Sequence, residues 1–293
     1  MTHPGSADYV APAERIAVFD NDGTLWAEQP MYFQLAFALD RIKALSVQYP
    51  QWQTLPPFKH VLDNNLKAVA AAGEQGLLEI MSASHTGVTT EELSTIVGAW
   101  LATARHPQLG RAYPELVYQP MLELLAYLRA NGFKTFIVSG GGVEFIRVFA
   151  EQVYGIPPEQ VVGSSFATRY QIDAHGKPVL LKESRVEFID DGPGKASGIN
   201  RFIGRRPIMA FGNSDGDLQM LEWTAGNPRA QFVALIHHTD AEREFAYDRA
   251  SPVGRLDKAL DQASARRWLI VDMRRDWRTV FGKQQCAGRL PSC

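Results

Sequence analysis

Ten residues near the start of the chain, Ile16-Ala17-Val18-Phe19-Asp20-Asn21-Asp22-Gly23-Thr24-Leu25, constrain its fold more than any other stretch. Four uncharged apolar residues in a row predict a short strand buried on both faces, as in parallel sheets. The run breaks into two carboxylates one residue apart, then a glycine and a hydroxyl. Asp, Asn and Gly are also ordinary turn residues, so the motif alone equally fits a strand-ending turn. Ligands of open α/β sheets bind at the carboxyl ends of strands, and acids placed there call for a partner. The rest of the chain has to separate these readings.

From Met121 onward the pattern alternates. Strands are predicted at Thr135–Val138, Val161–Val162, Pro207–Phe211, Phe232–Ile236 and Leu269–Val271. Helices are predicted over Met121–Ala130, Val143–Tyr154, Lys195–Ile203 and Leu218–Ala225, with a hairpin or meander around Tyr170 to Glu187. Such alternation predicts an α/β fold, a doubly wound, Rossmann-like parallel sheet with right-handed crossovers. Pro30 to His106 reads as helical throughout. One helix is expected from Met31 to about Val47 and a second from Phe58 to Ala72, stopped by Gly73. Thr89-Thr90-Glu91-Glu92 opens a third, with Leu93, Ile96, Val97, Trp100 and Leu101 as its apolar stripe. The expected organisation is a discontinuous core of residues 1–26 and 113–293 around an all-helical cap of residues 27–112.

Charge and composition narrow the partners. A net charge of −2 over 293 residues gives no electrostatic reason to bind nucleic acid or an anionic membrane surface. No apolar run reaches the roughly 18 residues of a membrane helix. The N-terminus lacks the basic-then-apolar layout of a secretory leader, so a cytoplasmic location is expected, with a removed leader and the periplasm as the alternative. The only cysteines, Cys286 and Cys293, have no metal spacing and are expected as reduced thiols, a tail disulfide being the other option.

Three predicted strands end in polar loops: Asp20/Asp22, Ser139-Gly140-Gly141-Gly142, and Gly212-Asn213-Ser214-Asp215-Gly216-Asp217. The loop Asp190–Gly194 delivers Lys195 to a helix start, with Lys182 as the rival lysine. In a parallel sheet these loops share one edge. Oxygen-only ligands suit Mg²⁺, and a hydroxyl, glycine N–H groups and a lysine suit a phosphate. A phosphate monoester dianion repels an attacking carboxylate until a cation neutralises it. A carboxylate nucleophile then gives an aspartyl-phosphate that water hydrolyses, and a second acid two residues away can move the protons.

Asp20-x-Asp22-Gly23-Thr24, Ser139-Gly140-Gly141, Lys195 and Gly212-Asn213-x-x-x-Asp217 resemble, in order, the four motifs of the haloacid dehalogenase superfamily. The branch is similar to the phosphoserine-phosphatase-type members, which carry a helical cap just after the first motif. The resemblance implies a Mg²⁺-dependent phosphatase with Asp20 as nucleophile and metal ligand. It makes Asp22 the general acid/base, offering the metal its backbone carbonyl, and Thr24 the support of the turn. Ser139, the N–H of Gly140 and Lys195 would bind the phosphate, and Asp217 would complete the metal site. The fourth motif of that family usually begins Gly-Asp. Here it is Gly212-Asn213, so either Asn213 ligates through its amide oxygen or Asp215 shares the role. Asp22 favours phosphoryl transfer over carbon–halogen cleavage. A phosphotransferase, a phosphonate or halide hydrolase, or an idle phospho-ligand-binding protein are the competing readings.

Glu28, Gln29, Tyr32 and Phe33 follow the first motif and are either substrate contacts or cap core. Phosphoserine phosphatases hold the substrate ammonium with an acid near here, and Glu28 is about one position off that spacing. Trp26, Tyr32 and Phe33 would make a cage for a cationic head group. Arg105, His106 and Arg111 are candidates for a substrate carboxylate or second phosphate, and Trp26 and Tyr113 for hinges of a lid. His85, His237 and His238 show no metal spacing. The expected partner is a small phosphorylated metabolite.

Overall fold

β1 (Ile16–Phe19) is the central strand of a seven-stranded sheet in a computed structural model that describes residues 1–282. Both cysteines lie outside the described residues. The other strands are β2 (Lys134–Gly142), β3 (Val161–Ile172), β4 (Pro178–Phe188), β5 (Met209–Gly212), β6 (Phe232–His237) and β7 (Leu269–Asp272), in the order β4-β3-β2-β1-β5-β6-β7. Every pairing is parallel except β3 with β4, which form an antiparallel hairpin. Side chains of β1 alternate between two apolar layers, as strand geometry dictates. Ala17 and Phe19 join one cluster with Ile137 and Phe211, while Ile16 and Val18 join the other with Val138, Ala210 and Leu235. The sheet is therefore covered on both faces, the doubly wound α/β architecture that the alternation implies.

Five α-helices lie between β1 and the helix that leads into β2: α1 (Phe33–Leu45), α2 (Phe58–Leu62), α3 (Leu66–Ala71), α4 (Gly73–His85) and α5 (Thr90–Thr103). The predicted helix over 58–72 is two helices, because Asn64 adopts φ 53° and Asn65 caps α3 by accepting from the N–H of Ala68. Gly73, read as a stop, has φ 66° and does end α3, but α4 begins at the same residue. α5 starts with a capping box between Thr89 and Glu92, as its sequence predicts. α1 and α5 bury Phe33, Phe37, Leu93, Val97 and Leu101 in the same cluster as the sheet, whereas α2 to α4 share a smaller core around Trp52 and Ile80. The residues read as hinges are packed: Trp26 is 1% exposed and Tyr113 5%. Trp26 stacks on Phe149 with centroids 4.4 Å apart, and Tyr113 on Trp100 at 4.7 Å. The insert is also tied to the hairpin, where Lys182 of β4 exchanges backbone hydrogen bonds with Gly87 and Val88 (3.0 and 2.9 Å).

The remaining helices are α6 (Gln119–Ala130), α7 (Val143–Tyr154), α8 (Pro193–Gly198), α9 (Leu218–Ala225), α10 (Lys258–Arg266) and α11 (Met273–Asp276). α8 runs into a π-helical turn at Ile199–Ile203 rather than continuing as one α-helix. β2 does not stop at Val138 but extends through the glycines to Gly142, its register against β3 shifting between Ser139 and Gly142. No helix of the described residues is long and apolar enough to cross a membrane.

Candidate active site

β1 is flanked by β2 and β5, so their carboxyl-end loops lie on either side of Asp20. The Asp20 N–H still joins the sheet, donating to the Phe211 carbonyl at 3.0 Å. Beyond it the chain turns sharply: the Asn21 carbonyl accepts from the N–H groups of Thr24, Leu25 and Trp26. Gly23 sits in this turn at φ 77°, where a Cβ would lie 2.1 Å from Asn213 Nδ2. Only glycine meets both demands.

The charge centre is Lys195, 2% exposed on α8. Its Nζ donates to Asp20 Oδ1 at 2.5 Å, to Asp217 Oδ1 at 2.6 Å and to the Val138 carbonyl at 2.9 Å. The two carboxylates outweigh burial and hold the lysine as an ammonium, above its ordinary range. Burial, with the charge of Asp217, pushes the Asp20 carboxyl up against the pull of Lys195. Asp217 closes the fourth loop through its other oxygen, which accepts from the N–H groups of Asn213 (2.9 Å) and Ser214 (3.0 Å). Lys182 is elsewhere, with Nζ 2.8 Å from Glu144 of α7. Asp215 also turns away: its Oδ1 accepts from the N–H groups of Asp257 and Ala259, both at 2.9 Å, and so caps α10. Asp215→Ala is therefore expected to cost about 1 kcal/mol in urea unfolding, the worth of a helix cap, with turnover unchanged.

A cavity of about 370 Å³ opens over Asp20, Asp22, Lys195, Gly140 and Gly141. Ser139 is buried beneath it, its Oγ accepting from the Gly141 N–H at 3.1 Å. Asp22 Oδ1 accepts from Trp26 Nε1 at 2.8 Å, and burial raises its carboxyl. Two side chains without sequence signal support the glycine loop. Gln34 Oε1 of α1 accepts from the Gly142 N–H at 2.7 Å, and Gln34 Nε2 meets His85 Nε2 at 3.0 Å. His85 must accept there, and burial keeps it neutral by lowering its pKa to about 4. Asp190, fully buried between β4 and α8, has its carboxyl pushed up to about 7 by burial.

The insert contributes Leu35, Leu77 and Met81 to the cavity wall, together with the polar side chains of Tyr32 and Gln34. Phe33 and Trp26 belong to the core cluster instead, so no aromatic cage forms. Arg105, His106 and Arg111 do not line the cavity. His106 Nε2 meets the Gln29 carbonyl at 2.7 Å, Arg111 reaches the Gly282 carbonyl at 3.1 Å, and Arg105 the Gly110 carbonyl at 3.5 Å. Gln29 itself bonds the Val253 carbonyl at 2.9 Å. Glu28, 1% exposed, does reach the cavity; its Oε1 accepts from Asn213 Nδ2 at 2.6 Å and from the Tyr247 hydroxyl at 2.8 Å. Burial and the charges of Asp22 and Asp20 raise its carboxyl. Asn213 Oδ1 accepts from Thr24 Oγ1 at 3.0 Å. His238 pairs with Glu244 and meets the Gly23 carbonyl at 2.8 Å, so it braces the first turn, and His237 lies 3.5 Å from Asp248.

The side chains around Asp20 that could ligate a metal offer oxygen atoms, which suit a hard cation such as Mg²⁺. Among the described residues no group of three or more His, Cys, Asp or Glu side chains is arranged to hold an ion alone. Mg²⁺ seldom needs one, because it keeps several waters and one or two carboxylates. The residues present fit that ion.

Residues 17–222 match the family model described as haloacid dehalogenase-like hydrolase. No curated protein matches the chain. A solved structure of a protein with unknown function from Bordetella pertussis Tohama I is similar over 89% of this chain and 99% of its own, with TM-score 0.55 and 14% identity. A substrate-bound phosphoserine phosphatase complex is similar over 89% and 95% (TM-score 0.44, 14% identity). A phosphoserine phosphohydrolase-like protein from Francisella tularensis subsp. tularensis SCHU S4 is similar over 76% and 87% (TM-score 0.41, 19% identity). With the family model spanning most of the sheet and all four polar loops, the chain belongs to the haloacid dehalogenase-like hydrolases.

Proposed function

We propose that this hydrolase is a Mg²⁺-dependent phosphomonoesterase acting on a small phosphorylated metabolite through an aspartyl-phosphate on Asp20. One observation carries the reading: Lys195 Nζ grips only Oδ1 of Asp20, at 2.5 Å, beside a cavity that Asp22 and two loop glycines also line. The second oxygen of Asp20 accepts no protein hydrogen bond among the described residues, which leaves it for attack.

In this reading Asp20 Oδ2 forms a bond to phosphorus as the bond from phosphorus to the ester oxygen breaks. Asp22, its Oδ1 fixed by Trp26, gives its proton to the leaving oxygen. It then takes a proton from water as that water's oxygen attacks phosphorus, which frees inorganic phosphate and restores the Asp20 carboxylate. Lys195, Ser139 and the Gly140 N–H hold the phosphate oxygens, and Thr24 steadies the turn. Asp20, Asp217 and the Asp22 carbonyl would hold Mg²⁺, with an oxygen from the Glu28–Asn213 side. The ion would supply the positive charge that lets a carboxylate approach a phosphate dianion. The Asp22 side chain favours this over carbon–halogen cleavage, which involves no leaving alkoxide to protonate.

The test is phosphate release from a panel of monoesters, including phosphoserine, phosphocholine and sugar phosphates, with Mg²⁺ and without an acceptor alcohol. Free phosphate is expected, and EDTA is expected to cut the rate by on the order of 10²-fold or more, restored by Mg²⁺. Turnover indifferent to EDTA, or halide release from haloacids without phosphatase activity, would overturn the proposal.

A further inference from the structure

Glu28 is a buried carboxylate with no lysine, arginine or histidine within 4 Å among the described residues. A buried carboxyl without a counter-ion either takes up a proton or needs a cation to hold its charge. The cationic side chain that lines the cavity, Lys195, is already shared by Asp20 and Asp217. Glu28 is nevertheless held firmly. Both Asn213 Nδ2 and the Tyr247 hydroxyl converge on Oε1, and no protein donor reaches Oε2 among the described residues. The backbone clears room for it: at Gly254, with φ 63°, a Cβ would lie 1.9 Å from Oε1. A carboxylate only accepts, so the amide of Asn213 must present its nitrogen to Glu28 and its oxygen to Thr24. Both ends of Asn213 are thus used, and Asn213 does not line the cavity whereas Glu28 does.

We infer that Glu28 supplies the negative charge to the cation of this cavity and that Asn213 and Tyr247 are its positioning residues. The inference rests on the Mg²⁺ dependence proposed above. It also accounts for the amide at position 213. A carboxylate there would stand 2.6 Å from Glu28 with no proton between them, a contact in which both groups cannot stay ionised. One acidic charge of the site thus stands on the segment after β1 and not at position 213, where the fourth loop instead offers a donor to hold it.

Mn²⁺ binding to the full chain without substrate, followed by electron paramagnetic resonance, tests this separately from turnover. E28Q is expected to weaken Mn²⁺ by about tenfold or more, the usual cost of losing a group that orients or charges a metal site. N213D is expected to unfold at a lower temperature, because it sets two carboxylates in contact. E28Q/N213D returns the charge without the clash and is expected to recover both the melting temperature and, to within about threefold, the wild-type affinity. An E28Q affinity within about twofold of wild type overturns the inference, including the case where only KM for amine-bearing monoesters rises. A double variant that binds no better than E28Q also overturns it. Wild type that fails to bind Mn²⁺ removes the metal reading itself, whereas wild type that binds beside an unchanged E28Q removes only the role of Glu28.

Discussion

Asp20→Asn is expected to abolish phosphate release, by on the order of 10⁴-fold or more, because it removes the attacking oxygen's charge and not merely a contact. The substitution keeps the side chain's size and an oxygen that can still accept from Lys195 Nζ, now at 2.5 Å. Lys195 also retains Asp217 at 2.6 Å, so the buried ammonium keeps a charged partner. The variant relieves one of two acids crowded around a single lysine, and its thermal unfolding is expected to match or exceed that of wild type. That pairing of outcomes is diagnostic: a structural aspartate would lose stability, and a nucleophile loses turnover alone. A fully folded variant with Mg²⁺-dependent turnover within tenfold of wild type would remove Asp20 from the chemistry.

The parts of this site that the sequence made legible are those whose signal is local. Asp20 and Asp22 follow an unbroken apolar strand, Ser139 follows another, and Asp217 ends a loop behind a third. Strand ends of a parallel sheet must converge on one edge, so topology alone places three loops together. Lys195 and Lys182 looked alike because each is a single lysine in a mixed context. The register of β4 separates them by carrying Lys182 onto Glu144. The contacts that hold Glu28 were not legible. Tyr247 is 219 residues away, in a stretch with no apolar period and no strand or helix, and its arrival depends on how residues 238–257 drape over the sheet edge. Gln34 and His85 touch across two helices of the insert, a packing contact between faces that periodicity does not pair. The break between α2 and α3 has no local signal, because Asn64 takes a left-handed conformation that asparagine tolerates but does not announce. The composition of the insert differs from that of the core and suggests a lid, yet Phe33 and Phe37 pack into the core's own cluster.

Lys195→Met is expected to have the second-largest effect, and on two observables at once. Lys195 is the only cation touching either Asp20 or Asp217 among the described residues, and all three are buried. Methionine fills a similar volume, so the loss is one of charge. Breaking a buried ion pair from one side typically costs about 3–5 kcal/mol, since the abandoned partner keeps its desolvation penalty. Here two carboxylates are abandoned facing each other, and without added metal the folded protein lowers the cost by protonating one of them. That raises a folded carboxyl pKa above its unfolded value, so the stability gap between wild type and variant should widen as pH rises from about 5 to about 8. Millimolar Mg²⁺ should return part of the lost stability, by mass action on a site that now lacks its fixed cation. Turnover should stay low in the same buffer, because the phosphate has lost its lysine. Urea unfolding at the two pH values, with and without Mg²⁺, and phosphate release under the same conditions read all of this. Lys182→Met is the control, since its partner is Glu144 and its removal should cost stability with little loss of turnover. If Lys195→Met retained turnover within about tenfold while Lys182→Met lost it, the phosphate would have to be neutralised from the hairpin side. The 2.5 Å contact with Asp20 would then be structural only.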